Sequence, residues 1–295
     1  MSNTVATPAI ERVVRTPPWV KGSSIRRIAF GALIVACCLV ILFPVYWMLN
    51  VALQPEGTSR VPSPPLIPPT ITFDNFISIF RDRPMALWLG NSVLVATVCV
   101  VVAMPVSLMA GYILSRYRIR IGAIVGVFVL VTQMLPPTML VVPMYQLFSS
   151  IGILNTAFAV MVAHMTMVIP LSVWLLKGFF DAIPIDLEQA AEVDGCNRFQ
   201  VFYRIALPLT LPGIAATALY SFIVSWNEYI FARTLASPQE LWTAGVGLAS
   251  FRGEYVTLFE PMMAASLVFT IPVFVVFFLL QRHLVSGMLS GSVKG

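Results

Sequence analysis

Apolar residues run through most of this chain in stretches long enough to cross a lipid bilayer. A spanning helix needs about 20 predominantly apolar residues. Stretches of that kind lie at residues 28–49, 87–114, 121–140, 155–176, 207–229 and 262–281, and a short interfacial or re-entrant helix is predicted at 144–150. The pattern therefore predicts an all-α integral membrane protein with six transmembrane helices.

Proline positions refine these predictions. Residues 121–176 contain no charged side chain, which is too long for one span, and the break is predicted at Leu135-Pro-Pro-Thr138 and Pro143. Pro105 interrupts span 87–114 only softly, because neighbouring helices can satisfy the freed backbone group. Outside the spans, residues 73–80 are predicted to form a short amphipathic helix capped by Asp74.

The polar segments between the spans set the predicted organisation. It comprises an N-terminal tail (1–26), a first transmembrane helix (27–53), an external Pro-rich segment (54–84), a transmembrane domain (85–285) with a polar loop (183–206), and a C-terminal tail (286–295). Thirteen of the 18 Lys and Arg residues fall on the side that holds both tails and the polar loop. Basic residues concentrate on the cytoplasmic side, so both termini and the polar loop are predicted to be cytoplasmic.

Composition agrees with the membrane assignment. Only 11% of residues are charged and the mean hydropathy is +0.88, whereas soluble domains carry about 25% charged residues. The net charge of +5 comes from side chains at span ends, which argues against nucleic-acid binding. The four cysteines form neither a disulfide framework nor a metal-binding pattern.

The polar loop predicts two short helices joined by a turn. Asp186 and Glu188 suit the positive end of the first helix dipole, and Gly195 suits a left-handed residue that ends this helix. Asn197 with Gln200 three residues later resembles a capping box that opens the second helix.

The first of these helices carries features of a docking element. Ala190 and Ala191 keep one face slim, so that the helix can enter a groove on another protein with Leu187 and Val193 as apolar anchors. The alternative is an amphipathic helix resting on lipid. The loop holds four acids against two arginines, and an anionic cytoplasmic leaflet repels acids, which favours docking.

The spacing Gln189-Ala-Ala-x3-Gly195-x9-Ile205-x-Leu207-Pro208 resembles the EAA loop of binding-protein-dependent ABC importer permeases, with Gln189 where the family usually has Glu. Other stretches resemble the carbohydrate branch, specifically the smaller permease of the maltose-transporter type. They are Phe73-Asp-Asn-Phe76, Trp226-Asn-Glu-Tyr229 and the terminal Gly287–Gly295.

The resemblance implies the type I ABC importer permease fold, in which the loop is a coupling helix that docks into a cytoplasmic ATPase dimer. The coupling residues implied are Glu188, Gln189, Ala190, Ala191, Asp194, Gly195, Ile205, Leu207 and Pro208. It also implies a second permease subunit as heterodimer partner, an extracytoplasmic solute-binding protein, a sugar substrate and a bacterial or archaeal plasma membrane. No catalytic or metal-binding residue is expected on this chain. ATP and Mg²⁺ would lie on the ATPase, because the chain has no G-x4-GK[ST] sequence.

Two predicted intramembrane residues can ionise. Glu228 is the only carboxylate within a predicted span, and with Asn227 it is a candidate for the translocation path or outer gate. A straight helix would place Glu228 about 31 Å beyond Leu207, which equally fits the outer interface. His164 has no acid in its own span and is interpreted as a packed, hydrogen-bonded histidine.

Two other classes of function compete with a subunit of an ATP-driven importer. A self-contained channel or secondary carrier is expected to place charged or ion-coordinating groups at the midplane, and the spans here are nearly free of charge. A membrane-embedded enzyme is expected to show a metal cluster, a nucleophile–base set or a phosphate loop, and the sequence shows none of these.

Overall fold

The computed structural model describes residues 24–58, 65–117, 120–253 and 257–291. The helices, in chain order, are α1 (Ser24–Ala52), α2 (Asp74–Arg81), α3 (Met85–Arg116), α4 (Arg120–Met134), α5 (Pro137–Ser150), α6 (Ala157–Asp181), α7 (Ile185–Val193), α8 (Arg198–Val201), a π-helix (Phe202–Ala206), α9 (Leu207–Leu209), α10 (Leu211–Asn227), α11 (Ile230–Leu235), a 3₁₀-helix (Gln239–Leu241), α12 (Ala244–Ala249) and α13 (Phe259–Gly291). Within the described ranges the only β-structure is one bridge between Arg252 and Thr257. The predicted all-α class is confirmed.

Helices α1, α3, α6 and α13 are each long and apolar enough to cross a membrane. Two further candidates are bent pairs: Gly126–Met134 with Pro137–Ser150, bent by 98°, and Arg198–Leu209 with Leu211–Asn227, bent by 73°. The described residues therefore supply between four and six spans, and the predicted six is the upper end of that range. Pro105 lies inside α3 without ending it, as predicted.

The chain divides after Met48 into two compact units. In the first unit, every side chain from Arg26 to Tyr46 is exposed. The ring of Phe43 contacts those of Tyr46 and Trp47, with centroids 6.4 and 6.2 Å apart.

The second unit is built around α3 and α6, which pack along each other. Their contact is close because Gly111 has no side chain: a Cβ there would lie 3.0 Å from the backbone N of Lys177 and 3.1 Å from the backbone O of Val173. Helices α10 and α13 add to this scaffold, with the rings of Trp226 and Phe269 centred 5.2 Å apart. The α3–α6 pair thus fixes the frame that carries the functional loops.

Two local predictions are wrong. The short helix predicted at 144–150 is the last part of the longer α5, because Pro143 lies inside that helix without ending it. Asp74 does not cap α2 but is its first residue, and Phe73 occupies the cap position. The Asp74 carboxylate instead accepts a 2.7 Å hydrogen bond from the Thr72 hydroxyl.

Several predicted segments lie wholly or partly outside the described residues. They are the N-terminal tail up to residue 23, residues 59–64 of the Pro-rich segment, residues 118–119 and 254–256 of the transmembrane domain, and residues 292–295 of the C-terminal tail.

Candidate functional site

The polar loop forms the two predicted helices, α7 and α8, joined by a tight turn. Gly195 has φ +89°. This left-handed conformation suits glycine because the Cβ of any other residue would come too close to the adjacent backbone carbonyl. The backbone N–H of Gly195 bonds to Glu192 O at 3.1 Å and that of Cys196 to Ala191 O at 3.0 Å, which is the pattern of a Schellman motif. The turn predicted at Gly195 is confirmed.

The capping box at the start of α8 is also present. Gln200 N donates to Asn197 Oδ1 at 2.9 Å, and Asn197 N donates to Gln200 Oε1 at 2.8 Å. The reciprocal bonds fix the angle at which the chain leaves the turn.

Glu188 joins α7 to the end of α3. Its Oε1 accepts from Arg116 Nε at 2.7 Å and its Oε2 from Tyr112 Oη at 2.8 Å. The Arg116 and Glu188 side chains are only 10% and 8% exposed, so this ion pair lies out of water, where removal of one partner is costly. Arg116 also donates from Nη2 to Ile183 O at 3.2 Å. Helix α7 is therefore held to α3 by a charged, hydrogen-bonded contact.

A second set of contacts joins the end of α6 to α3. Asp181 accepts from Lys177 Nζ and from Ser115 Oγ, both at 2.6 Å. Arg116 Nη1 donates to Ser115 Oγ at 3.1 Å. One polar network thus links α3, α6 and α7, and sequence reasoning found none of its members on α3 or α6.

The exposed face of α7 is narrower than predicted. Glu188 and Ala191 face the protein and are buried, whereas Ala190 is exposed. Leu187 is 47% exposed and Val193 is 88% exposed. The assignment of Ala191 to the slim outer face is wrong, because the 3.6-residue period turns it inward together with Glu188. Gln189 and Asp194 are exposed.

The remaining coupling residues lie in a distorted stretch that leads into α10. Ile205 falls in the π-helix and is half-buried, as is Leu207, while Pro208 is exposed. Proline has no N–H to continue an α-helical ladder. In the π-helix each N–H bonds to a carbonyl five residues earlier, so that Leu207 N bonds to Phe202 O. This wider turn accommodates Pro208, which follows. The continuous span predicted at 207–229 is wrong, because the chain bends by 73° before Leu211.

Glu228 lies one residue beyond α10 and is buried, with 7% of its surface exposed. Its Oε1 accepts from the backbone N of Phe231 at 2.8 Å and its Oε2 from that of Ala232 at 3.0 Å. These two groups lie in the first turn of α11, where backbone N–H groups lack partners within the helix. Glu228 thus binds the start of α11, one residue beyond the end of the helix that was predicted to contain it.

His164 completes this cluster from α6. Its Nε2 lies 2.9 Å from Glu228 Oε2 and its Nδ1 lies 2.8 Å from Ser225 Oγ. A carboxylate only accepts, so Nε2 donates to it, and Nδ1 pairs with the serine hydroxyl. The interpretation of His164 as a packed, hydrogen-bonded histidine is confirmed. Its acidic partner was missed because it lies 64 residues away in sequence.

The Ser225–His164–Glu228 arrangement resembles a hydrolytic triad in composition only. Ser225 and His164 are 4% and 1% exposed, so no substrate atom can reach the serine. The cluster joins α6, α10 and α11. Within the described residues, no group of three or more His, Cys, Asp or Glu side chains could hold a metal ion.

Asn227, the other candidate for the translocation path, is exposed. It lines a cleft of about 480 Å³ between the end of α10, α12 and the start of α13. A smaller, mostly apolar cleft of about 270 Å³ lies between α3 and α8, where Tyr112 and Phe202 line it.

Comparison with known proteins identifies the family of this chain. A family model described as "binding-protein-dependent transport system inner membrane component" matches residues 103–290. The trehalose transport system permease protein SugB of Mycobacterium tuberculosis is 35% identical over 263 residues, covering 86% of this chain and 93% of the relative. The diacetylchitobiose uptake system permease protein DasC of Streptomyces coelicolor is 35% identical over 257 residues, covering 86% and 92%.

A solved structure agrees on the fold. The crystal structure of a bacterial ABC transporter involved in the import of the acidic polysaccharide alginate matches with a TM-score of 0.72 at 21% identity. The match covers 90% of this chain and 99% of that chain.

Proposed function

Because the chain belongs to the family of binding-protein-dependent transport system inner membrane components and is an ABC transporter permease subunit, we propose that it imports a sugar or oligosaccharide. Relatives named for trehalose, diacetylchitobiose and trehalose/maltose transport support a saccharide substrate. The subunit is not an enzyme; the proposal assigns ATP and Mg²⁺ to a separate cytoplasmic ATPase dimer.

The observation that carries the coupling mechanism is the two-sided character of α7. One side is tied to α3 through Glu188 and Arg116, while Leu187, Ala190 and Val193 face outward. An exposed apolar face on a short, firmly seated helix suits insertion into a groove on a partner. ATP-driven closure of the ATPase dimer then moves α7 and shifts the permease between inward- and outward-facing arrangements.

We also propose the finer features of the assembly. A second permease subunit forms a heterodimer with this chain, and an extracytoplasmic binding protein delivers the sugar. The protein crosses a bacterial or archaeal plasma membrane several times. Both termini and the polar loop face the cytoplasm, in agreement with the excess of Lys and Arg on that side.

The test is reconstitution of the whole assembly in proteoliposomes, with the binding protein and a mixture of neutral and acidic saccharides outside and ATP inside. Mass spectrometry of the lumen then identifies what accumulates. We expect accumulation of at least one saccharide that needs both ATP and the binding protein. Accumulation without ATP would overturn the importer and support a secondary carrier, and accumulation of no saccharide would overturn the sugar assignment.

The docking face is tested at Val193 with a matched pair of substitutions. Val193→Arg places a charge on the outward face, whereas Val193→Met keeps the position apolar. We expect Val193→Arg to lower ATP-driven uptake and co-purification of the ATPase by roughly tenfold or more, because a charge buried in an interface without a partner is costly. Equal uptake by the two variants, at equal abundance, would overturn docking through this face.

A further inference from the structure

The cleft that Asn227 lines has the size of a ligand site. Its volume is about 480 Å³, within the range of about 300–1,000 Å³ that small-molecule sites occupy. Tyr229, Arg252 and Phe259 also line it. All of these residues belong to the second compact unit.

One face of α13 forms a wall of this cleft. Phe259, Met262, Ser266 and Phe269 line it, and their spacing of three, four and three residues places them on a single helical stripe. Ten residues of helix extend about 15 Å, so the cleft continues along the spanning helix. The ring of Phe269 is fixed from behind by the buried Trp226, 5.2 Å away between centroids.

The polar groups of the cleft are positioned to bind hydroxyls. Asn227 donates from Nδ2 to Ile223 O at 2.9 Å, which orients the amide and leaves its Oδ1 able to accept. Arg252 is exposed, and within the described ranges it forms no ion pair. Its guanidinium offers a planar set of donors. Thr257 adds a hydroxyl that both donates and accepts, whereas the Ser266 hydroxyl donates to Met262 O at 2.7 Å and can only accept from a ligand.

The cleft lies one helix length from the polar loop. Helix α10 begins at Leu211, just after that loop, and ends at Asn227, which is about 25 Å for 17 residues. With the polar loop in the cytoplasm, as proposed above, the cleft lies toward the opposite face of the membrane, where a binding protein would release its ligand.

We propose that this cleft is a saccharide-binding subsite of the permeation path, in which Phe259 and Tyr229 contact the C–H face of a sugar ring and Asn227 and Arg252 bind its hydroxyls. A sugar ring combines an apolar face with a polar rim, and the cleft pairs aromatic rings with amide, guanidinium and hydroxyl groups in the same way. This assignment rests on the proposed function, because it takes the transported sugar to be the ligand.

The test uses the reconstituted assembly and the saccharide mixture described above, at saturating binding protein. The variants are Asn227→Ala and Phe259→Ala, each with a control of the same chemistry outside the cleft. Gln239→Ala removes another exposed amide, and Phe80→Ala removes another exposed ring. We expect the cleft variants to slow uptake by about tenfold, as for the loss of one or two good contacts, and the controls to match the wild type.

Selectivity between two saccharides distinguishes the loss of a binding subsite from structural damage to the protein. Loss of a subsite changes the ratio of uptake rates between two saccharides in the mixture, whereas loss of folded protein lowers both rates in proportion. Unchanged ratios and rates in both cleft variants, with a wild type that accumulates sugar, would overturn the subsite alone. A wild type that accumulates no saccharide would overturn the proposed function, and the subsite with it.

Discussion

Glu228 takes the place that a capping side chain would take at the start of α11, and it also reaches across to α6. Three donors point at its carboxylate: His164 Nε2 and the backbone N–H groups of Phe231 and Ala232. A buried acid is tolerated when its oxygens are satisfied in this way. Its burial and its partners within the chain indicate a structural role in holding α11 to α6.

Replacement of Glu228 by Gln tests that role. An amide keeps one accepting oxygen but turns an NH₂ group toward a backbone or imidazole donor, so at least one hydrogen bond is lost. We expect the free energy of unfolding to fall by about 1–3 kcal/mol, seen as a lower thermal midpoint of the detergent-solubilised protein. Glu240→Gln, at an exposed acid, is the control, and equal midpoints for the two variants would contradict the assignment.

At the scale of residues, the sequence predicted the Gly195 turn and the α8 capping box, which depend on near neighbours, although the equally local cap at Asp74 was wrong. Gly195 and the Asn197–Gln200 box are encoded within a few positions, so their geometry follows from local rules. The partners of Glu188 and His164 lie more than 60 residues away in the chain. No single-sequence pattern specifies such pairs, because they depend on which helices pack together.

At the scale of elements, the turn between α7 and α8 sets the direction in which α7 presents its exposed face. The Schellman hydrogen bonds require the left-handed conformation of Gly195. A β-branched residue is strained in that conformation, whereas asparagine visits it more readily.

We therefore expect Gly195→Val to lower ATP-driven uptake and Gly195→Asn to retain most of it. The strain in the valine variant amounts to about 1–2 kcal/mol, which the turn relieves by changing shape. Uptake rate and the amount of co-purified ATPase are the measurements. If valine and asparagine both behave like glycine, the geometry of the turn does not matter for coupling.

The entry to α10 shows why element boundaries were harder to predict than element types. Hydropathy alone joins residues 207–229 into one span. The π-helix at Phe202–Ala206 directly precedes Leu207 and Pro208, and the bend before Leu211 lies between Pro208 and Pro212. An average of hydropathy does not detect such backbone constraints. The break marked by Leu135-Pro-Pro-Thr138 is present, because α4 ends at Met134 and α5 begins at Pro137. The break also marked at Pro143 is absent, and the single span predicted at 121–140 is wrong because the chain bends by 98° within it.

At the scale of the whole molecule, the second unit depends on how closely α3 and α6 approach. Gly111 lies where the backbone of α6 leaves no room for a side chain. Gly90 lies on the same helix with nothing within 4 Å of its Cβ position.

These two glycines form a matched pair for testing the scaffold. Gly111→Leu must push α6 away or distort α3, and overpacking of this kind costs about 1–3 kcal/mol. We expect a smaller yield of monodisperse protein in size-exclusion chromatography, whereas Gly90→Leu should leave the yield unchanged. A normal elution profile for Gly111→Leu would show that the helices are not in tight contact at this point.

Helix α3 connects the loop helix α7 to the segment that precedes α12. At one end Arg116 and Tyr112 donate hydrogen bonds to Glu188 of α7. At the other end Trp88 Nε1 donates to Gln239 O at 3.1 Å, and Asn91 Nδ2 donates to Trp242 O at 3.0 Å. Its 32 residues make a rod about 48 Å long. If α7 is the docking helix, as proposed, its displacement is transmitted along α3 to the segment that precedes α12, because one helix is hydrogen-bonded to both.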